Sequence, residues 1–168
     1  TDGIVWTGLG TNIFYTAGYC CAWNGSMYVA GGIGSNSLAY SYDGLTWTGL
    51  GATIFTTSGS GIAWNGIMWV AGGYDTNTLA YSYDGINWTN SNDTNFSQCN
   101  SICWNGKQFL AIGMYKSVPT FQKSTDGINW TGATNSADGT NSTSIFSYYG
   151  SSVAWNGSMW IAVGWGTN

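Results

Sequence analysis

The chain has 168 residues, 43% of them hydrophobic and 17% aromatic, so it carries enough apolar material to bury a core. Charge is sparse, with three Lys, seven Asp, no Arg, no Glu, no His and a net charge of −4, which leaves solubility to Ser, Thr, Asn and the backbone. Without a basic cluster nothing displaces counterions from nucleic acid, without His the Ser-His-Asp and Cys-His schemes are unavailable, and without about 18 consecutive apolar residues no membrane-spanning helix is expected.

From the N-terminus onward two landmarks recur. The first is D-G-x-x-W, at Asp2 to Trp6, Asp43 to Trp47, Asp84 to Trp88 and Asp126 to Trp130, with the Trp residues spaced 41, 41 and 42 apart. The second is W-N-G, at Trp23, Trp64, Trp104 and Trp155, spaced 41, 40 and 51 apart. A fixed period of this size is the signature of a repeat architecture. The chain therefore divides as one repeat domain of four copies, approximately 1–41, 42–82, 83–124 and 125–168. The longer last interval places an insertion near 135–144, in a Ser/Thr/Asn/Gly-rich stretch.

Each copy reads as four short strands, because Asn-Gly and Asp-Gly supply the positive φ that tight hairpins need. In the second copy the expected strands are Gly61 to Trp64, Met68 to Gly72, Thr78 to Tyr83 and Ile86 to Thr89, with Asn65-Gly66 and Asp84-Gly85 as turns. Apolar residues alternate at period two through Ile62, Trp64, Met68, Val70, Leu79, Tyr81, Ile86 and Trp88. The pairs Gly31-Gly32 and Gly72-Gly73 fit close approach of strands near a crowded axis. The expected fold is all-β: a β-propeller of four-stranded blades, forming a closed four-blade ring or part of a larger or oligomeric propeller.

Aligned on W-N-G, Gly166-Thr167-Asn168 matches Gly34-Ser35-Asn36, and Thr1-Asp2-Gly3 matches Tyr42-Asp43-Gly44. The counterpart of Ser37 to Ser41 thus falls between the last residue and the first. Closure of a ring within one blade and a window of a longer array both fit, and the mid-motif position favours the array. An incomplete ring leaves sheet faces uncovered, so a homo-oligomer or a longer repeat chain is expected.

Cys20, Cys21, Cys99 and Cys103 lack any His to complete a common zinc set, and Cys21 falls where other copies carry Ile or Val and Cys103 where they carry Ala. Buried thiols are the plain expectation, with disulfides left open; no metal or cofactor is implied.

The segments Ser41-Tyr42-Asp43-Gly44-Leu45-Thr46-Trp47, Ser82-Tyr83-Asp84-Gly85-Ile86-Asn87-Trp88 and Ser124-Thr125-Asp126-Gly127-Ile128-Asn129-Trp130 resemble the Asp-box of sialidase-like (BNR-like) β-propellers, whose pattern is S-x-D-x-G-x-x-W. Here one residue fewer separates Asp and Trp, as in a relaxed variant of tandem-repeat surface proteins of bacteria, phages and large viruses. The resemblance implies structural roles: Asp2, Asp43, Asp84 and Asp126 hold the hairpin between third and fourth strands, and Trp6, Trp47, Trp88 and Trp130 pack between blades. It does not carry over a sialidase activity, which would need an arginine cluster and a Tyr/Glu pair. Only Asp75, Asp93 and Asp138 remain as carboxylates for other work, too few for a two-carboxylate glycosidase. The chain is expected not to be an enzyme and to have no catalytic residues.

Sugar binding asks for aromatic faces and neutral hydrogen-bonding groups, and both are abundant among 11 Trp, 11 Tyr and the Ser, Thr and Asn residues. The candidate ligand-binding residues are Tyr40, Tyr42, Tyr81 and Tyr83, together with Trp69, Trp160 and Trp165, the tryptophans outside the two periodic motifs. Trp69 and Trp160 align with Tyr28 and Phe109, so a core role for them is equally open, as is strand packing for Tyr40 and Tyr81. A lectin-like adhesion propeller with repeated weak sites for glycans or surface glycoconjugates is the leading expectation, since repetition converts weak sites into avidity. The alternative is a structural component of a virion, fibre or cell-surface layer. Either places the protein outside the cell or on a cell or virion surface. Nucleic-acid partners and membrane insertion are not expected.

Overall fold

The computed structural model describes residues 3–92, 96–115, 121–133, 146 and 148–166. The expected insertion near 135–144, as well as Asp2, Asp93 and Asp138, lies outside the described residues.

Among the described residues all regular structure is β and there is no helix. The first sheet contains β1 (Ala17–Trp23), β2 (Tyr28–Ile33), β3 (Leu38–Ser41) and β4 (Thr48–Gly49) in the order 1-2-3-4. The second contains β5 (Ser58–Trp64), β6 (Trp69–Tyr74), β7 (Leu79–Ser82) and β8 (Thr89–Asn90), and the third β9 (Phe96–Trp104), β10 (Phe109–Tyr115), β11 (Phe121–Ser124) and β12 (Thr131–Gly132), each again as a meander. The fourth sheet has two strands among the described residues, β13 (Tyr149–Trp155) and β14 (Trp160–Trp165), where four strands per copy were expected.

Every W-N-G hairpin is built the same way. The Asn65 side-chain oxygen accepts the backbone N–H of Ile67 at 2.9 Å and of Met68 at 2.8 Å, while Gly66 takes φ 98°. Asn24, Asn105 and Asn156 repeat this pattern. Across each turn an aromatic pair packs between the first two strands, Trp23 on Tyr28, Trp64 on Trp69, Trp104 on Phe109 and Trp155 on Trp160, with ring centroids 4.3 to 5.1 Å apart.

At the second hairpin the fourth strand starts later than expected, at Thr89 rather than Ile86. The Asp84 carboxylate captures the N–H groups of Ile86 at 2.9 Å and Asn87 at 2.7 Å, so these donors are withdrawn from the ladder. Ser82 Oγ donates to Asp84 at 2.9 Å and accepts the Gly85 N–H at 2.8 Å, and Trp88 Nε1 reaches back to the Gly85 carbonyl at 3.1 Å. The same network recurs around Asp43 and Asp126. At the first copy Trp6 Nε1 donates to the Gly3 carbonyl at 2.9 Å, but Trp6 is 86% exposed.

Successive sheets pack side by side, β1 against β5, β5 against β9 and β9 against β13. Each contact is one apolar cluster: Met27, Val29, Leu38, Phe55, Ile62 and Trp69 between the first two sheets, and Met68, Val70, Leu79, Ile102, Phe109 and Trp130 between the next two. A smaller cluster of Leu110, Ile112, Phe146 and Val153 joins the last two. The glycine pairs allow this closeness. A Cβ on Gly31 would stand 2.8 Å from the Gly59 carbonyl oxygen of the neighbouring sheet, and one on Gly72 would strike Cys99. The first and last sheets make no comparable contact, so the described residues do not close into a four-blade ring.

Candidate functional site

Each first strand carries a β-bulge at the same repeat position. Pairing skips from Gly18 to Cys20 in β1, from Gly59 to Gly61 in β5, from Cys99 to Ser101 in β9 and from Gly150 to Ser152 in β13. The skipped residues are Tyr19, Ser60, Asn100 and Ser151. A bulge re-aims a side chain out of the ladder's regular alternation. Here the first strands lie next to one another, and the four bulged residues line one cleft of about 620 Å³.

Two further repeat positions complete its wall. Ser58, Gln98 and Tyr149 come from two residues before each bulge, and Ile33, Tyr74 and Met114 from the ends of the second strands. Thr57 completes the lining, which contains no charged side chain. Asn100 Nδ2 donates to the Gly150 carbonyl at 2.7 Å and so ties the third sheet to the fourth within the cleft. Ser58 and Ser60 place their hydroxyls 3.4 Å apart. Nearby, the Asp75 carboxylate is committed to the loops, accepting the N–H of Thr56 at 2.9 Å and of Thr76 at 2.6 Å. Burial opposes its ionisation, but these bonds outweigh that and hold its carboxyl below the usual range.

The sequence-derived candidates fall into three groups. Trp165 is 62% exposed, packs against Tyr149 with ring centroids 5.9 Å apart and against Tyr148 at 5.0 Å, and occupies the repeat position of Ile33, Tyr74 and Met114. Tyr40 and Tyr42 form an edge-to-face pair at 5.8 Å on the first sheet, and Tyr81 and Tyr83 another at 6.0 Å on the second. The first pair borders a shallow hollow of about 190 Å³ with Thr46 and Thr48, and shares no lining residue with the cleft of the bulges. At the matching positions the third sheet has Lys123 and Thr125, so this aromatic pair is not repeated there.

Trp69 is fully buried between the first two sheets, the core position left open for it by its alignment with Tyr28 and Phe109, and it offers no ring face to a ligand. Trp160 is half-buried against Trp155 and packs on the cluster joining the last two sheets. Among the described residues no group of His, Cys, Asp or Glu could hold a metal ion.

The bulge residues escaped sequence reasoning because their identities differ: Tyr, Ser, Asn and Ser share no chemistry that a motif would reveal. The available signal was positional, four residues before each W-N-G Trp, with glycines beside three of the four.

No family model matches the chain, and a search of curated proteins finds no significant relative.

Proposed function

We propose that this chain is a non-enzymatic, lectin-like module of β-propeller type, related to Asp-box repeats, whose axial cleft takes a neutral glycan at a cell or virion surface. The carrying observation is the lining of that cleft: four equivalent bulges converge on about 620 Å³ with hydroxyl, amide and phenol groups and no charge. Hydroxyls and amides match sugar hydroxyls, while Tyr19, Tyr74 and Tyr149 supply apolar faces for the C–H surfaces of a pyranose. Several four-stranded meanders with their first strands side by side support the propeller reading. The absence of Arg, Glu and His supports a binding role over catalysis. A structural or assembly role is favoured by a separate observation, the apolar faces left open on the first and last sheets.

The test is a glycan array followed by titration of each hit with intrinsic tryptophan fluorescence, since Trp165 reports on Tyr149 at the edge of the cleft. The expected result is a sugar-competed signal that Tyr19→Ala and Gln98→Ala abolish and Tyr42→Ala leaves intact. Loss with Tyr42→Ala alone would move the site to the outer tyrosine pairs. A blank array at high avidity would leave the assembly role.

A further inference from the structure

The repeat gives each sheet two different faces. One, the tail face, presents residues in or just before the second strand: Met27 and Val29 in the first sheet, Met68 and Val70 in the second. The other, the head face, presents a first-strand apolar residue and the Asp-box turn. At the first junction Ile62 and the Gly85-Ile86 turn of the second sheet cover the first sheet's tail: a Cβ on Gly85 would meet Met27 and stand 3.1 Å from Val29 Cγ2. At the second junction Ile102 and Gly127 do the same, with a Cβ on Gly127 standing 2.8 Å from Val70 Cγ2 and 3.2 Å from Met68 Cε. As a result Met27, Val29, Met68 and Val70 are all at most 4% exposed.

In the last sheet Met159 and Ile161 stand at the positions of Met27 and Val29, and Val163 stands where the first two sheets have Gly31 and Gly72. Met159, Ile161 and Val163 are 55%, 52% and 55% exposed. The first sheet has the same head face, and its residues there are exposed. Cys21 is exposed, whereas its counterparts Ile62, Ile102 and Val153 are 8%, 7% and 6% exposed. Leu45 is 70% exposed, whereas Ile86 and Ile128 are half-buried, and a Cβ on Gly44 would meet only Tyr28 of its own sheet. One molecule thus carries two unlike half-interfaces that the internal junctions show to be complementary.

We propose that the Met159, Ile161 and Val163 face of one copy docks on the Gly44-Leu45 and Cys21 face of a second copy, head to tail, continuing the junction that already joins the sheets within one chain. Such an interface is heterologous: each copy keeps a free head or tail, and assembly proceeds until the ring closes or continues as an open array. The proposal is independent of what the axial cleft binds.

The decisive experiment uses two variants at exposed positions, Ile161→Lys and Leu45→Lys, in sedimentation equilibrium over a concentration series. The wild-type mass is expected to rise above the monomer's 17.9 kDa with concentration. Each variant alone is expected to stay monomeric, since one half of every junction is blocked. Mixed, the two are expected to form a dimer and stop there, because one intact head meets one intact tail. Maleimide labelling of Cys21 in the wild type gives a second reading and is expected to slow as concentration rises. A wild type that is monomeric throughout, as closure onto its own head would give, overturns the proposal. So does a variant that self-associates alone, as a two-fold symmetric contact would allow, or a mixture of folded variants that stays monomeric. Cys21 labelling unchanged while the mass rises overturns the assignment of the head face.

Discussion

Asn100 Nδ2 donates to the Gly150 carbonyl at 2.7 Å, so the residue extruded by the bulge of β9 is held by the backbone of the next sheet. One side chain therefore contributes both to the wall of the cleft and to the junction between the third and fourth sheets. Asn100→Ala removes that bond and leaves the carbonyl of the buried Gly150 without this donor. The expected cost is about 1 kcal/mol, read as a lower urea midpoint at unchanged slope. Ligands of the cleft should weaken in the same variant, measurable by fluorescence titration.

The serine two residues before each Asp-box aspartate has a larger predicted effect than its size suggests. Ser124 is 4% exposed, donates to Asp126 at 2.9 Å and accepts the buried Gly127 N–H at 2.8 Å. In Ser124→Ala that N–H loses its partner in a place water does not reach. Destabilisation of roughly 1–3 kcal/mol is expected in chemical denaturation, and Ser82→Ala should match it because its network is the same. A change within error for both would show that the turns hold without the hydroxyl.

Acid should unfold the protein through these turns. The backbone N–H groups of Thr46 and Leu45, with the Ser41 hydroxyl, lower the Asp43 carboxyl from 3.8 to about 2. At Asp84 and Asp126 burial opposes ionisation, but the side-chain and backbone donors of Asn87 and Asn129 and the neighbouring N–H groups outweigh it, holding both well below the usual range. A carboxyl depressed in the folded state contributes stability that is fully present above its unfolded value. That contribution is lost as pH falls through the folded value, since the unfolded chain then binds more protons. The melting temperature is expected to be level from about pH 7 to about pH 5 and to fall steeply below about pH 4. A melting temperature that holds at about pH 2 would mean the aspartates do not carry the turns.

The four cysteines, all thiols, should differ sharply in reactivity. Cys99 is fully buried, burial pushes the Cys20 thiol up to about 12, and burial also raises Cys103. Cys21 is exposed. Thiol titration of dilute native protein is expected to give one fast-reacting group, removed by Cys21→Ser, with the others appearing only on unfolding. Several fast groups in the native protein would contradict the packing of Cys20 against Gly31 and of Cys99 in the core.

Much of the fold was legible in local chemistry. Asn24, Asn65, Asn105 and Asn156 mark their hairpins because a side-chain amide followed by glycine closes a turn with neighbouring atoms alone. Strand starts were less legible: Ile86 has the alternation of a strand residue, yet Asp84 takes its N–H into the turn. Trp69 and Trp165 show the same limit for the site. Both are tryptophans outside the periodic motifs, but one lies buried between two sheets and the other lies exposed on the last sheet.

The sequence by itself determined the repeat, the two turn types and the alternation that makes every copy a small antiparallel sheet, because these depend on residues a few positions apart. Tertiary structure decided the rest. Whether Met27 and Met159, identical in their repeats, are buried or exposed depends on whether another sheet lies against them. The cleft likewise exists only where four first strands come side by side, since no single bulge encloses a space.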